Sequence, residues 1–251
     1  MTYCVALSVD RGLVFASDSR TNAGPDQVSV FGKMHVLLDA PDRFFVLLSA
    51  GNLGTTQAVR TRIRHDLEFD RKPNLRTLQS MAEAAEYLGA VNAEQRRKHA
   101  EGSENDGGMT ATFILGGQIC GRAAGIFLVY PEGNYIRASS QTPFLQIGEL
   151  KYGKPILDRL VKPGLELEDA ARVVLLSMDA TMRSNVTVGP PIEVLIYDPE
   201  RPQLVRHMIF GPEDDYLREL GRAWQGYVEK AFSVLPPLPP RPAELLRVVD
   251  E

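Results

Sequence analysis

The chain has 251 residues, 44% of them hydrophobic and 24% charged, so it can bury a sizeable core without disulfide staples. Its net charge of -4 lacks the basic excess of nucleic-acid-binding domains, and no apolar run approaches the length of a membrane helix. Two cysteines, Cys4 and Cys120, are too few for a disulfide framework or a zinc site, and we expect both to be buried thiols. Without a metal-binding motif or signal peptide, the sequence predicts no metal, no cofactor and a cytoplasmic location.

The N-terminal segments predict paired strands. Residues 3–9 and 13–17 carry apolar side chains on both faces and flank a turn at residues 10–12, which predicts a hairpin covered on both sides. Residues 28–38 and 44–51 predict a second strand pair. A doubly covered hairpin indicates stacked layers of secondary structure.

Helices and strands alternate in blocks along the rest of the chain. Apolar residues at helical spacing predict helices that start near Gly54 and near Asn74. Two strand segments, two helices and a closing strand pair follow, at residues 110–120, 125–140, 154–160, 168–182, 192–198 and 203–210. This order predicts an α+β fold, a four-layer αββα sandwich of two antiparallel sheets flanked by helices.

The C-terminal part differs in composition. A further amphipathic helix carries Trp224 and Tyr227 on its apolar stripe, and a proline-rich segment follows at residues 236–242. We therefore predict a main domain at residues 1–211 and a C-terminal helix with a proline-rich extension at residues 212–251. Packing of the aromatic stripe on its own domain is the default expectation, and a contact with a neighbouring subunit is the alternative.

Thr2 is a candidate nucleophile. If Met1 is removed, Thr2 carries a free α-amine with an ordinary pKa of about 7.7–8.0, which can accept the proton of its own hydroxyl. A strand that begins directly after it would hold this group on a rigid element. Gly51 ends a later strand and could offer its N–H to the oxygen of an attacked carbonyl.

Asp18 and Lys33 are candidates for the supporting charges. With residues 11–12 as a two-residue loop, Thr2 lies opposite Thr21 and Asp18 lies about 10 Å from Thr2. Lys33 could bridge that gap, favour the Thr2 alkoxide and be kept charged by Asp18. Taken singly, Asp18 as a turn cap and Lys33 as a solvated charge are the ordinary alternatives.

In their order and spacing, the segments from Thr2 to about Tyr197 resemble β-type subunits of the proteasome, which are Ntn hydrolases. The stretches MTYCV, ASDSRTNAG, FGKMH and IGELKYGKPILDR are most similar to the bacterial proteasome-related group called Anbu. The resemblance implies the αββα (Ntn-hydrolase) fold and Thr-dependent hydrolysis of peptide bonds, with Thr2 as nucleophile. It also implies self-association into a large homo-oligomer, as an open ring or a helix.

The resemblance extends the candidate site. It implies that Asp18 and Lys33 take the supporting roles described above and that the Gly51 N–H binds the oxyanion. Glu149 stands where classical subunits have a serine, and the segment with Ser184 and Asn185 stands where they have an aspartate and a serine. Glu149, Ser184 and Asn185 therefore join the candidate site residues.

The sequence favours an N-terminal threonine hydrolase, a proteasome-like peptidase acting on a peptide or unfolded protein. An Ntn amidohydrolase acting on a small amide is one alternative, and a non-catalytic structural or binding subunit of the same fold is another. No nucleic-acid or membrane partner is predicted, and no residue pattern identifies an ATP-dependent unfoldase.

Overall fold

The computed structural model describes residues 2–22, 28–100, 106–119 and 121–239. The predictions that concern Met1, Cys120 and the end of the proline-rich segment lie outside these ranges. Cys4, by contrast, is fully buried, as predicted.

The described residues form twelve strands and five α-helices. The strands are β1 (Tyr3–Val9), β2 (Gly12–Asp18), β3 (Arg20–Asn22), β4 (Val28–Val30), β5 (Met34–Ala40), β6 (Arg43–Gly51), β7 (Ala111–Ile119), β8 (Gly125–Val129), β9 (Tyr135–Arg137), β10 (Phe144–Gly148), β11 (Ile192–Tyr197) and β12 (Arg206–Phe210). The helices are α1 (Leu53–Glu68), α2 (Met81–Ala100), α3 (Lys154–Leu160), α4 (Leu167–Ser184) and α5 (Asp215–Ser233).

Two five-stranded antiparallel sheets form the centre of the protein. The first sheet has the order β10-β1-β2-β11-β12, and the second has the order β5-β6-β7-β8-β9. Strands β3 and β4 form a separate two-stranded ribbon. The first strand, β1, therefore lies inside a sheet and is paired on both edges.

Three apolar clusters separate four layers. One lies between the facing sheets and includes Cys4, Phe15 and Val46. Another joins the first sheet to α3, α4 and α5, and the third joins the second sheet to α1 and α2. Alternate side chains of β1 enter different clusters, which explains why that strand is apolar on both faces. The predicted αββα sandwich is confirmed.

The first hairpin has a different register from the predicted one. The expected pairing of Asp10 with Leu13 is wrong: Val9 pairs with Gly12, and the two residues between them form the turn. Gly12 belongs to β2, where a Cβ atom would lie 2.3 Å from the backbone oxygen of Tyr197. The glycine thus allows β11 to approach closely, and its presence at the turn misled the sequence prediction.

Helix α2 begins later than predicted. It starts at Met81, whereas Asn74 belongs to a preceding turn. The Ser80 hydroxyl accepts a hydrogen bond from the Glu83 N–H at 3.1 Å, and the Glu83 carboxylate accepts one from the N–H of Gln79 at 2.9 Å. This capping pattern, a serine followed three residues later by a glutamate, was the signal for the true start.

Strand β10 was not among the strands predicted from the sequence. Its five residues lie between loops, so the alternation of apolar side chains is too short to stand out. In the structure β10 pairs with β1, with Tyr3 opposite Gly148. It therefore lies beside the N-terminal residue.

Helix α5 packs on the body only through its first half. Leu217 and Leu220 contact the cluster beneath α4, but Tyr227 is 70% exposed, so packing on its own domain is wrong for that side chain. Trp224 is half-buried. The domain boundary at residues 211–212 stays a prediction. None of the helices in the described ranges is long and apolar enough to cross a membrane.

The inter-sheet layer should dominate stability. Phe15 is fully buried there, so Phe15→Ala should lower the free energy of unfolding by about 3–5 kcal/mol. Phe69→Ala is the control, because Phe69 is 61% exposed and its truncation should cost less than about 1 kcal/mol. Urea unfolding at matched protein concentration measures both, and equal losses would contradict the layer assignment.

Candidate active site

Thr2 is fixed by its backbone at the N-terminal end of β1, an inner strand of the first sheet. It directly precedes β1, and its carbonyl oxygen accepts a hydrogen bond from the Glu149 N–H at 2.7 Å. Gly148 has a φ of +85°, and a Cβ atom there would lie 2.0 Å from the same oxygen. Only glycine allows this close approach, so the end of β10 positions the candidate nucleophile.

Tyr3, the next residue, is held in a buried hydrogen-bond network. Its hydroxyl lies 2.6 Å from the Ser177 hydroxyl and accepts a hydrogen bond from the Gln146 side-chain amide at 2.7 Å. Burial raises the pKa of Tyr3 to about 12, with these hydrogen bonds opposing the rise. A neutral phenol therefore ties the beginning of β1 to α4.

Asp18 and Lys33 form a buried ion pair. Lys33 Nζ lies 2.7 Å from Asp18 Oδ1 and donates a second hydrogen bond to the Arg20 carbonyl oxygen at 2.6 Å. The backbone N–H groups of Tyr3 and Gly189 also donate to the Asp18 carboxylate, at 3.0 and 3.3 Å. Because all its partners are donors, this carboxyl group is placed to act as an acceptor only.

Two opposing effects act on Asp18. Burial raises the pKa of its carboxyl group above the ordinary value, and the Lys33 ammonium and the N–H groups of Tyr3 and Gly189 oppose that rise without cancelling it. The corrected hairpin register explains the Tyr3 contact. Cys4 pairs with Ser17 in an antiparallel ladder, so Tyr3 faces Asp18 in the next row. Asp18 therefore lies in the row next to Thr2, not three rows away as predicted.

One pocket, of about 140 Å³, brings Thr2, Lys33 and Gly51 together. Gly51 is the exposed last residue of β6 and has a φ of +111°. Ser49, two residues earlier in β6, also lines the pocket, and the Ser49 N–H donates to the Lys33 carbonyl oxygen at 3.0 Å. The ends of β1 and β6 and the segment before β5 thus converge on the candidate nucleophile.

Glu149, whose N–H binds the Thr2 carbonyl oxygen, is in contact with Asn185. The Asn185 side-chain amide donates to Glu149 Oε2 at 3.0 Å, and the Lys151 N–H donates to Glu149 Oε1 at 3.1 Å. Asn185 is buried at the C-terminal end of α4, whereas its neighbour Ser184 is exposed. The structure brings Asn185, and not Ser184, into contact with another predicted site residue.

Some lining residues were not predicted to take part. Arg60 of α1 and His35 of β5 both reach the pocket that holds Thr2. No sequence motif links His35 to α1, so its place in the pocket was not predicted. Across the described ranges, no group of three or more His, Cys, Asp or Glu residues could hold a metal ion.

The chain matches one protein-family model and several solved structures. The family model described as proteasome subunit matches residues 2–197. Comparison with curated proteins gives no match.

Three solved structures match over nearly the whole chain. An Anbu (Gly-1) mutant from Hyphomicrobium sp. strain MC1 is 43% identical, covers 96% of this chain and 100% of its own, and has a TM-score of 0.88. Anbu, described as an ancestral beta-subunit, from Yersinia bercovieri is 38% identical, with coverages of 96% and 100% and a TM-score of 0.87. A helical assembly of the Anbu complex from Pseudomonas aeruginosa is 36% identical, with coverages of 95% and 98% and a TM-score of 0.86. The chain therefore belongs to the proteasome subunit family and, within it, to the Anbu group.

Proposed function

We propose that this chain is an N-terminal threonine peptidase that cleaves peptide bonds with Thr2 after Met1 is removed. The observation that supports this function is the convergence of Thr2, Lys33 and Gly51 on one pocket, with Lys33 held by buried Asp18. The substrate is a peptide or an unfolded protein. The cytoplasmic location expected from the sequence stays a prediction.

The reaction begins with proton transfer inside Thr2. The free α-amine takes the hydroxyl proton, directly or through one water, and Oγ attacks the peptide carbonyl. The Lys33 ammonium lies in the same pocket and favours the developing alkoxide. The N–H of Gly51 is the proposed donor to the oxyanion of the tetrahedral intermediate.

Collapse of the intermediate breaks the C–N bond. The protonated amine of Thr2 gives its proton to the leaving amine, and the acyl group stays on Oγ as an ester. Water then attacks the ester with the same amine as base, which releases the acid product and restores Thr2.

Asp18, Glu149 and Asn185 act as positioning residues. Asp18 orients Lys33 through the 2.7 Å ion pair. The Glu149 N–H holds the Thr2 carbonyl oxygen, while its carboxylate is held by Asn185 and the backbone of Lys151. Ser184 is exposed and has no proposed role.

Self-association is the second part of the proposal. The C-terminal end of α5 and the segment after it carry Phe232, Val234, Leu235 and Leu238, which are 62–94% exposed. Exposed apolar side chains in such a row are typical of an interaction surface. We propose that they contact a neighbouring copy, as in an assembly of the kind that the Pseudomonas aeruginosa Anbu structure is described as forming.

Intact mass spectrometry tests the nucleophile. Purified protein should lack Met1 and, with an electrophile that targets N-terminal threonine, gain one adduct per chain, because Thr2 Oγ is activated by its own amine. Thr2→Ala should gain none. Retained Met1, or a free Thr2 that never reacts, would favour the structural-subunit alternative.

Removal of the cation tests the role of Lys33. Lys33→Met should slow adduct formation by about 100-fold or more, because the charge that favours the alkoxide is lost. The exposed Lys162→Met is the control and should react at the unaltered rate.

Breaking one side of a buried ion pair can also unfold a protein, at a cost of about 3–5 kcal/mol. The double variant Asp18→Asn/Lys33→Met leaves no buried charge at the pair and should keep the fold while staying unreactive. A folded double variant that reacts at the wild-type rate would refute the assigned role.

The α5 surface is tested by triple substitution. Replacing Phe232, Leu235 and Leu238 with serine should shift the wild-type assembly to smaller species, because their exposed apolar area no longer gains from burial. Serine at the exposed polar positions Arg222, Gln225 and Glu229 of α5 is the control. Size-exclusion chromatography with light scattering measures the mass, and an unchanged mass in the apolar triple variant rules out this interface.

A further inference from the structure

Arg60 forms one wall of the pocket that holds Thr2, and His35 fixes its position. Arg60 Nη1 lies 2.9 Å from Nε2 and 3.1 Å from Nδ1 of the His35 ring. Both side chains are half-buried, one on α1 and the other on β5. The contact joins a helix to an edge strand and leaves the guanidinium facing the pocket.

His35 does not neutralise this cation. Burial and, to a lesser extent, the positive charges of Arg60 and Arg64 together lower the pKa of the His35 imidazole to about 4. At neutral pH the imidazole is therefore uncharged. It can accept a hydrogen bond from Arg60 and orient it, but it supplies no negative charge.

The two cations of the pocket differ in their partners. Lys33 is paired with the buried carboxylate of Asp18. Arg60 has no carboxylate within ion-pair distance among the described residues, and its Nε and Nη2 make no hydrogen bond there. The described lining of the pocket includes no Asp or Glu. Among the described residues, nothing pairs with one edge of the Arg60 guanidinium, and that edge can take a planar anion.

The size of the pocket limits what that anion can be. Its volume of about 140 Å³ is below the range of about 300–1,000 Å³ typical of pockets for drug-sized ligands, so it suits one side chain or one end of a longer ligand. An Arg guanidinium offers two parallel N–H donors, which match the two oxygens of a carboxylate.

We propose that Arg60, oriented by His35, binds a carboxylate of the peptide whose amide lies at Thr2. This carboxylate belongs to an acidic side chain or to the free C-terminus of the peptide. The inference rests on the proposed peptidase function and makes the enzyme selective for acidic peptides over neutral ones.

Binding to the full-length Thr2→Ala protein tests the inference without turnover. Isothermal titration with N-acetyl-Ala-Ala-Glu-amide and with its Gln isostere compares a side-chain carboxylate with a neutral amide of the same shape. N-acetyl-Ala-Ala-Gln with a free C-terminus presents a terminal carboxylate instead. We expect at least one carboxylate peptide to bind about tenfold tighter than the neutral one.

The position of that carboxylate identifies its source. Tighter binding of the Glu peptide assigns the site to an acidic side chain, and tighter binding of the free acid assigns it to a peptide C-terminus. Either result supports the inference, provided that Arg60→Gln in the same protein abolishes the preference.

Arg64→Gln is the matched control. Arg64 lies one turn further along α1, is exposed, and does not line the pocket, so its loss removes the same charge from the same helix. The carboxylate preference should persist in this variant. Equal binding of all three peptides, no measurable binding of any, or a preference that survives Arg60→Gln would overturn the inference.

The parallel adduct experiment on wild-type protein separates the two proposals. If Thr2 forms an adduct but the peptides bind equally, only the carboxylate site fails. If no adduct forms but Thr2→Ala protein prefers the carboxylate through Arg60, the site stands and the peptidase function fails.

Discussion

The buried ion pair between Lys33 and Asp18 is the interaction on which the rest of the site depends. A lysine that is 7% exposed is expensive to bury, and the 2.7 Å contact with a carboxylate offsets part of that cost. The same carboxylate accepts the backbone N–H groups of Tyr3 and Gly189. One acceptor thus joins the first strand, the second strand and the segment before β11.

The sandwich makes this arrangement rigid. Strand β1 is paired on both edges, and its two faces enter different apolar clusters. Thr2 directly precedes that strand, and the Glu149 N–H fixes its carbonyl oxygen. The proposed nucleophile, held in this way, would lose little entropy on reaction, which is the benefit of placing a site on packed strands.

The sequence predicts the layers and the chemical groups better than their spatial relations. The candidate site residues lie at the ends of strongly apolar segments, so the sequence pattern predicts both the strands and the residues that flank them. These residues are Thr2, Asp18, Lys33 and Gly51. The register of the first hairpin could not be predicted in the same way. Gly12 lies in β2, where it allows the backbone of Tyr197 to approach closely, and it is not part of the turn. Contacts such as Asn185 with Glu149, or Arg60 with His35, join distant elements and leave no local pattern.

The central claim is that the Thr2 hydroxyl is the nucleophile and that Lys33 and Gly51 stabilise the charge that develops on attack. The most direct measurement is a crystal structure of the processed protein with a peptide boronate. We predict a bond between boron and Thr2 Oγ, a boronate oxygen within about 3.2 Å of the Gly51 nitrogen, and Lys33 Nζ within the same distance of Oγ. A boronate bound to another residue, or one on Thr2 with Lys33 and Gly51 out of reach, would contradict it.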